Sequence, residues 1–423
     1  MCIRDSNILL NKKVSLKENT LWYTLGTLCS SCSNVLLMIY VTRIIGVDQA
    51  GVFSIAYSIA QLMLTIGWFS TRQFQVSDID EEYSFSDYLA FKLFLSIVVI
   101  IGAFVYSGYL NLSPIKKIVT LAYCIFILCD VFADLFSSRF QQMDKLFISG
   151  ISYLIRIIGY NVIFLLSLIL FKNLLLSISL SLVYSCIELL FFDVPMIKSL
   201  SIIKLEFPIK KIGSLFIKCF PLFIGSFITT FIINIPKNAI ELNFSSSLQT
   251  YYNIIFMPSS IVNMFCMFVF VPLYTNIATV WHKGTKKVFL SLVLKLILVC
   301  LGLSVLILAG SFLLGIPFLQ ILYGVDLSGY KTAFMILMCA GCMTSFNSIM
   351  IYIFTVIRKQ KLILFVYIIA MALCQILINL LIQNLNLIGA SLDYLIGMSV
   401  VGVLFLILFV VVMFKQKGEV EYE

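Results

Sequence analysis

Charge is what this chain has least of. Asp, Glu, Lys and Arg make up 12% of its 423 residues, whereas a soluble domain carries about a quarter. So little polar surface cannot cover a water-facing globule, and soluble fold classes are excluded. Histidine is almost missing. His282 is the only one, which removes any multi-histidine metal centre. Long polar stretches are lacking as well, so there is no room for a folded extramembrane catalytic domain. No zinc-finger or nucleic-acid motif occurs. The net charge of +9 therefore does not indicate a nucleic-acid partner, and no cofactor is expected.

What is present is apolar sequence. Hydrophobic residues make up 61% of the chain, and its mean hydropathy is +1.08. A membrane span needs about 20 apolar residues. Runs of that length lie near 20–44, 50–70, 88–109, 117–138, 146–171, 174–197, 212–237, 250–274, 288–313, 330–356, 362–383 and 388–414. Only helices and closed barrels satisfy the backbone in lipid. Leu296–Leu303 is continuously apolar, whereas a barrel strand would alternate. The expectation is an all-α polytopic membrane protein of about twelve transmembrane helices.

The cations between the runs set the orientation. With a cytoplasmic N-terminus, nineteen of the 29 lysines and arginines fall on the cytoplasmic side. Only Lys116, Lys117, Lys172 and Lys331 fall outside. This bias places both termini in the cytoplasm. Residues 1–18 form a basic tail rather than a secretory signal, and Met1–Ser6 stand apart from the rest. Residues 19–198 hold the first six spans. A connector containing Pro208 occupies 199–211, the second six spans occupy 212–414, and 415–423 form a tail. Each half opens with a helix carrying a cation toward its outer end, Arg43 or Lys237, followed by an aromatic-led helix. Repeated halves are a common transporter plan. The acidic segment Arg72–Asp87 reads as a solvated loop. All the cysteines except Cys2 lie inside apolar runs, including Cys29-Ser-Ser-Cys32 and Cys339-Ala-Gly-Cys342. They read as small packing residues in preference to a redox or metal motif.

A charge deep in a span needs a partner or water, so each one is a candidate site. Arg156 lies roughly 16 Å in from Lys145, and Glu188 roughly 15 Å in from Lys198, at 1.5 Å per residue. They sit at matching depth on consecutive antiparallel spans and are expected to face each other. The pair is either purely structural or a site in which Arg156 contacts an anionic substrate and Glu188 holds it. Lys237 follows Asn234-Ile-Pro236, where proline bends a helix and frees a carbonyl. It is a candidate cavity-lining cation, with Glu241 as a local partner at i+4. Arg43 either lines the same cavity or snorkels to the headgroups. Asp130 and Asp134 share one face of span 4. They are candidate proton-coupling carboxylates, unless Asp134 is hydrated at the interface and Asp130 is paired to a neighbouring helix.

Several motifs occur in a recognisable order. Asn19-Thr-Leu-Trp-Tyr-Thr-Leu-Gly26, Val41-Thr-Arg-Ile-Ile-Gly46 and Ala50-Gly-Val-Phe-Ser-Ile-Ala56 are followed by Arg72-Gln-Phe-Gln-Val-Ser-Asp78. The second half carries Asn234-Ile-Pro-Lys-Asn-Ala-Ile-Glu241, Tyr251-Tyr-Asn-Ile-Ile-Phe-Met-Pro258, Phe268-Val-Phe-Val-Pro-Leu273 and Ile316-Pro-Phe-Leu-Gln-Ile-Leu-Tyr-Gly324. Over roughly residues 12–415 the chain resembles polysaccharide-exporter flippases of the multidrug/oligosaccharidyl-lipid/polysaccharide superfamily, similar to O-antigen and lipid II flippases. The resemblance implies a V-shaped bundle of two six-helix lobes in the bacterial cytoplasmic membrane. It implies an undecaprenyl-diphosphate-linked oligosaccharide as substrate, moved by alternating access through a cationic cavity without covalent chemistry. Expected partners are membrane lipids, a glycan polymerase and glycosyltransferases. Lys237 and Arg43 lie inside matching motifs, whereas Arg156 rests on depth alone. A drug or cation antiporter of the related extrusion family is the alternative, kept open by Asp130, Asp134 and Glu188. A membrane glycan polymerase or ligase would need a sizeable outer loop, which the spacing does not provide.

Overall fold

The computed structural model describes residues 14–78, 80–201, 207–270, 277, 279–281 and 285–419. Met1–Ser6, the middle of the 199–211 connector, the end of the Phe268–Leu273 motif, His282 and the last residues of the C-terminal tail lie outside them. Among the described residues there is no strand.

Local chemistry starts and stops the helices. Helix α1 (Leu16–Ile45) begins at Ser15, whose hydroxyl accepts the Glu18 N–H at 3.2 Å. Gly46 adopts φ 90° and turns the chain directly into α2 (Val47–Trp68). Phe69 and Ser70 are both left-handed, at φ 46° and 52°, and separate α2 from the short α3 (Thr71–Ser77). Helix α4 (Phe85–Tyr109) opens on a reciprocal capping box between Ser84 and Asp87, which satisfies two otherwise orphaned amides. Helix α5 (Pro114–Gln142) has Ser113 as its cap and proline at its first position, where the missing N–H costs nothing. Helix α6 (Leu146–Phe171) ends at the left-handed Lys172, and Asn173 caps α7 (Leu174–Glu188). A π-helical turn, Leu189–Asp193, carries α7 into α8 (Val194–Leu200).

The remaining helices are longer. Helix α9 (Ile209–Asn243) runs unbroken through Pro236, and α10 (Ser246–Phe270) contains Pro258. Helix α11 (Lys286–Gly310) passes through a second π-helical turn, Ser311–Gly315, into α12 (Ile316–Tyr323). Helices α13 (Lys331–Val356) and α14 (Gln360–Glu419) complete the chain. Non-helical torsions at Asn386 (φ 51°, ψ −130°) split α14 in two, at the gap between the last two apolar runs.

Among the described residues, 10 helices are long and apolar enough to cross a membrane. The last of them holds both final runs, and α10 covers the run near 250–274. The all-α expectation of about twelve helices holds.

Two compact units emerge, Met1–Thr230 and Phe231–Glu423, with the boundary inside α9. In unit 1, α1 packs along α6, α2 along α5, and α7 against α5 and α6. The α1–α6 approach is very close. A Cβ on Gly150 would lie 2.3 Å from the Trp22 backbone, and one on Gly26 would lie 2.9 Å from the Gly150 carbonyl oxygen. Small residues drive such packing in lipid, where no hydrophobic effect pulls helices together. Hydrogen bonds join the same helices. Ser33 on α1 meets the Tyr160 hydroxyl at 2.8 Å, and Asn161 donates to Ser33 at 2.7 Å. In unit 2, α13 packs on α10 and α14. Asn347 on α13 donates to the Met398 carbonyl at 2.9 Å.

Candidate functional sites in the two units

Helix α5 is the electrostatic spine of unit 1. Asp130 and Asp134 lie one turn apart, and each faces a cation on a different helix. Arg156 on α6 is 2% exposed and donates to Asp130 Oδ1 at 2.9 Å. Its second amino group lies 3.4 Å from the Cys129 carbonyl oxygen, and its guanidinium sits 5.3 Å from the Tyr153 ring centre. Arg72 on α3 donates to Asp134 Oδ1 at 3.1 Å, to Ser137 at 3.0 Å and to Gln141 at 2.7 Å. Lys92 on α4, 1% exposed, lies 3.8 Å from the other Asp134 oxygen. It also donates to the Gly67 and Trp68 carbonyls at 3.0 and 2.9 Å. Those carbonyls belong to the negative C-terminal end of α2, which favours a cation. Arg156, Arg72 and Lys92 thus each have a counter-charge and further hydrogen bonds, the condition for retaining cations in a low-dielectric interior.

The expected Arg156–Glu188 pairing is corrected by these contacts. Arg156 closes on the preceding helix, at Asp130, instead of on the following one. Glu188 is buried, and neither of its carboxyl oxygens has a hydrogen-bond partner among the described residues. It still acts on Arg156 through space. The π-helical turn directly after Glu188 changes the helical register and brings Asp193 to α6, where Ser152 donates to it at 2.9 Å. Depth along a span does not determine which face of a helix a side chain occupies. Of the two possibilities open for Asp130, the structure shows pairing to a neighbouring helix. Asp134 is held by Arg72 and Lys92 and is not simply hydrated.

The acidic segment after α3 is also corrected. It is a hydrogen-bonded clasp. Asp78 accepts from the Glu82 and Tyr83 amides and from the Tyr88 hydroxyl, at 2.9, 3.1 and 2.9 Å. Arg139 donates to Glu81 at 2.7 Å and to Ser201 at 2.8 Å. The first turns of α9 join in. Lys211 donates to Asp87 and Lys218 to Glu82, both at 2.6 Å, and Tyr83 meets Ser214 at 2.7 Å. Phe223 stacks on Phe69 at 4.1 Å between ring centres.

Unit 2 has a different character. Lys237 on α9 is 6% exposed, and its ammonium lies 4.6 Å from the centre of the Phe256 ring on α10. Phe256 in turn contacts Tyr252 and Tyr394, at 6.0 and 5.2 Å between ring centres. Among the described residues no carboxylate stands within salt-bridge distance of Lys237. The expected Lys237–Glu241 pair does not form, because the lysine is drawn across to the aromatic face of α10 and away from its own helix. Asp393 on α14 is 1% exposed, and neither of its oxygens has a hydrogen bond among the described residues. The Tyr252 hydroxyl, within electrostatic range of Asp393, is equally unpartnered. Arg43 lies exposed in the last turn of α1, where a cation complements the helix dipole.

Sequence reasoning passed over Lys92, Asp193 and Asp393. Each is an isolated ionisable residue in an apolar run, and that isolation is a usable signal. The Cys129–Cys186 contact, 3.8 Å between sulfurs across α5 and α7, carried no sequence signal.

Residues 16–278 match a family model described as polysaccharide biosynthesis protein. No curated protein sequence matches the chain. Solved structures share its fold. A multidrug resistance MATE family transporter of the MOP superfamily, inward-facing, superposes with a TM-score of 0.68 at 12% identity, covering 91% of this chain and 95% of the transporter. The lipid II flippase MurJ, inward closed, gives 0.70 at 12% identity, covering 92% of this chain and 87% of MurJ. A MOP superfamily transporter from Pyrococcus furiosus gives 0.57 at 12% identity, covering 95% of each chain. With that fold and its apolar helices, the chain is a multi-pass membrane protein.

Proposed function

Since the chain belongs to the polysaccharide biosynthesis protein family, we propose that it is a flippase that moves an undecaprenyl-diphosphate-linked oligosaccharide across the bacterial cytoplasmic membrane by alternating access. Both termini are taken as cytoplasmic, from the cation bias of the loops. No covalent chemistry is required. The partners are membrane lipids and the glycosyltransferases and polymerase that make and use such a glycan.

The observation that carries the proposal is Lys237. A buried ammonium without a carboxylate costs several kcal/mol in hydrocarbon. The aromatic face of Phe256 offsets about 2 kcal/mol of that. A diphosphate restores the rest by charge-assisted hydrogen bonds. Arg72, Lys92 and Arg156 of unit 1 are already held by Asp134 and Asp130, so Arg156 contacts substrate only if Asp130 releases it. Lys237 is the first-choice anion contact, and Arg43 is a contact at the membrane edge. The fold shared with a lipid II flippase fits a lipid-linked substrate.

The test is flipping of fluorescent undecaprenyl-diphosphate oligosaccharide in proteoliposomes. Wild type should flip it, Lys237→Arg should retain activity, and Lys237→Ala should lose it. Normal flipping by Lys237→Ala would defeat the site assignment. A wild type inactive across a broad glycan panel would defeat the function.

A drug or cation antiporter is the second function with specific support. MATE transporters share the fold, and Asp393 offers a buried carboxylate with no hydrogen bond among the described residues. Uptake of an organic cation driven by an imposed proton gradient, without glycan flipping, would favour it.

A further inference from the structure

At the end of unit 1 opposite Arg72 and Arg139, helix ends line an open cavity of about 540 Å³. The last turn of α1, the first turns of α2 and α5, and the turn from α6 into α7 form it. Its volume lies within the usual range for a small-molecule site, roughly 300–1,000 Å³. The walls are Ile45, Ile115, Ile118 and Leu175, and the rim is Gln49 and Lys172. Ile115 and Ile118 are 67% and 53% exposed. No acidic residue lines the space.

We infer that this cavity holds the phosphate headgroup of an anionic glycerophospholipid, with the start of its acyl chains on the isoleucine wall. Two features favour this occupant. Lys172 places a full positive charge at the rim. The cavity also takes in the first turns of α5 and α7, the positive ends of two helix dipoles. An apolar wall continuous with lipid-facing isoleucines excludes a free inorganic anion as the natural guest. The cationic rim discriminates against a zwitterionic headgroup. The site involves none of the residues assigned to transport and does not depend on that assignment.

The experiment uses the whole chain in detergent, offered phosphatidylglycerol and phosphatidylcholine of identical acyl chains, with bound lipid read by native mass spectrometry. One interfacial lysine should favour the anionic lipid about fivefold. Lys172→Gln should bring the ratio close to one, and Lys172→Arg should keep it. Ile118→Trp, which fills the cavity, should reduce retention of both lipids. If Lys172→Gln does not fold, Lys172→Arg and Ile118→Trp still decide the outcome. Equal retention of the two lipids by wild type, an unchanged ratio in Lys172→Gln, or undiminished retention in Ile118→Trp overturns the inference. Preferential displacement of phosphatidylglycerol by undecaprenyl phosphate also overturns it, since the occupant would then be a polyprenyl carrier.

Discussion

Arg156 reaches back to Asp130 at 2.9 Å, while Glu188 remains without a hydrogen bond among the described residues. The buried arginine of unit 1 is therefore committed within the protein. Removing one member of a fully buried pair strands the other charge and costs about 3–5 kcal/mol; the cost is smaller here because the Asp130 side chain is 37% exposed, and removing both is milder still. Asp130→Asn and Arg156→Gln should each lower the thermal unfolding temperature markedly. The double variant should recover a large part of the loss. If the double variant is stable and still flips substrate, Arg156 is structural only.

Asp393 is expected to govern pH dependence. An ionised carboxylate with no hydrogen bond in a dry interior is strongly disfavoured. The groups around it supply little compensation. Tyr252 lies on α10, Tyr394 follows it in sequence, and Cys374 donates to its backbone carbonyl at 3.6 Å and not to its carboxyl group. Transport by wild type should depend on pH, and Asp393→Asn should flatten that profile. An unchanged profile in Asp393→Asn removes this residue from coupling.

The clasp between the 78–87 segment and α9 should be sensitive to salt. Lys218 and Glu82 are 37% and 61% exposed at the side chain, so screening acts on them directly. Cys219, fully buried on α9, reports on the clasp. In Lys211→Gln/Lys218→Gln its labelling by maleimide should accelerate several-fold, and high ionic strength should have the same effect on wild type. Labelling that ignores both changes would show that aromatic packing of Phe69 on Phe223 is sufficient.

Gly150 leaves no room for a side chain. A methyl group there would collide with the Trp22 backbone at 2.3 Å, and helix backbones do not yield as side chains do. Gly150→Ala should destabilise by about 1–3 kcal/mol through overpacking. Gly302→Ala, inside α11 where nothing stands within 4 Å, should stabilise by up to about 1 kcal/mol. Thermal unfolding of the two variants side by side checks the contrast.

The spans were legible because lipid imposes one local rule, a long apolar helix with its backbone satisfied internally. Pairing was less legible. Asp130 and Asp134 were correctly placed on one face of α5, since i and i+4 fix that locally. Their partners Arg72, Lys92 and Arg156 come from three other helices, and no local rule selects among those. The acidic segment looked solvated because its charges are close in sequence, while the lysines that hold Glu82 and Asp87 lie more than 120 residues away.

Composition and periodicity alone determined that this is a helical membrane protein with about twelve spans, since those properties depend on each segment and its solvent. Only the tertiary structure decided which buried charges are neutralised and which stand ready. That outcome depends on helix rotation and on a π-helical turn at Leu189–Asp193. A shift of one residue in register turns a side chain by about 100°, and hydropathy does not report such a rotation.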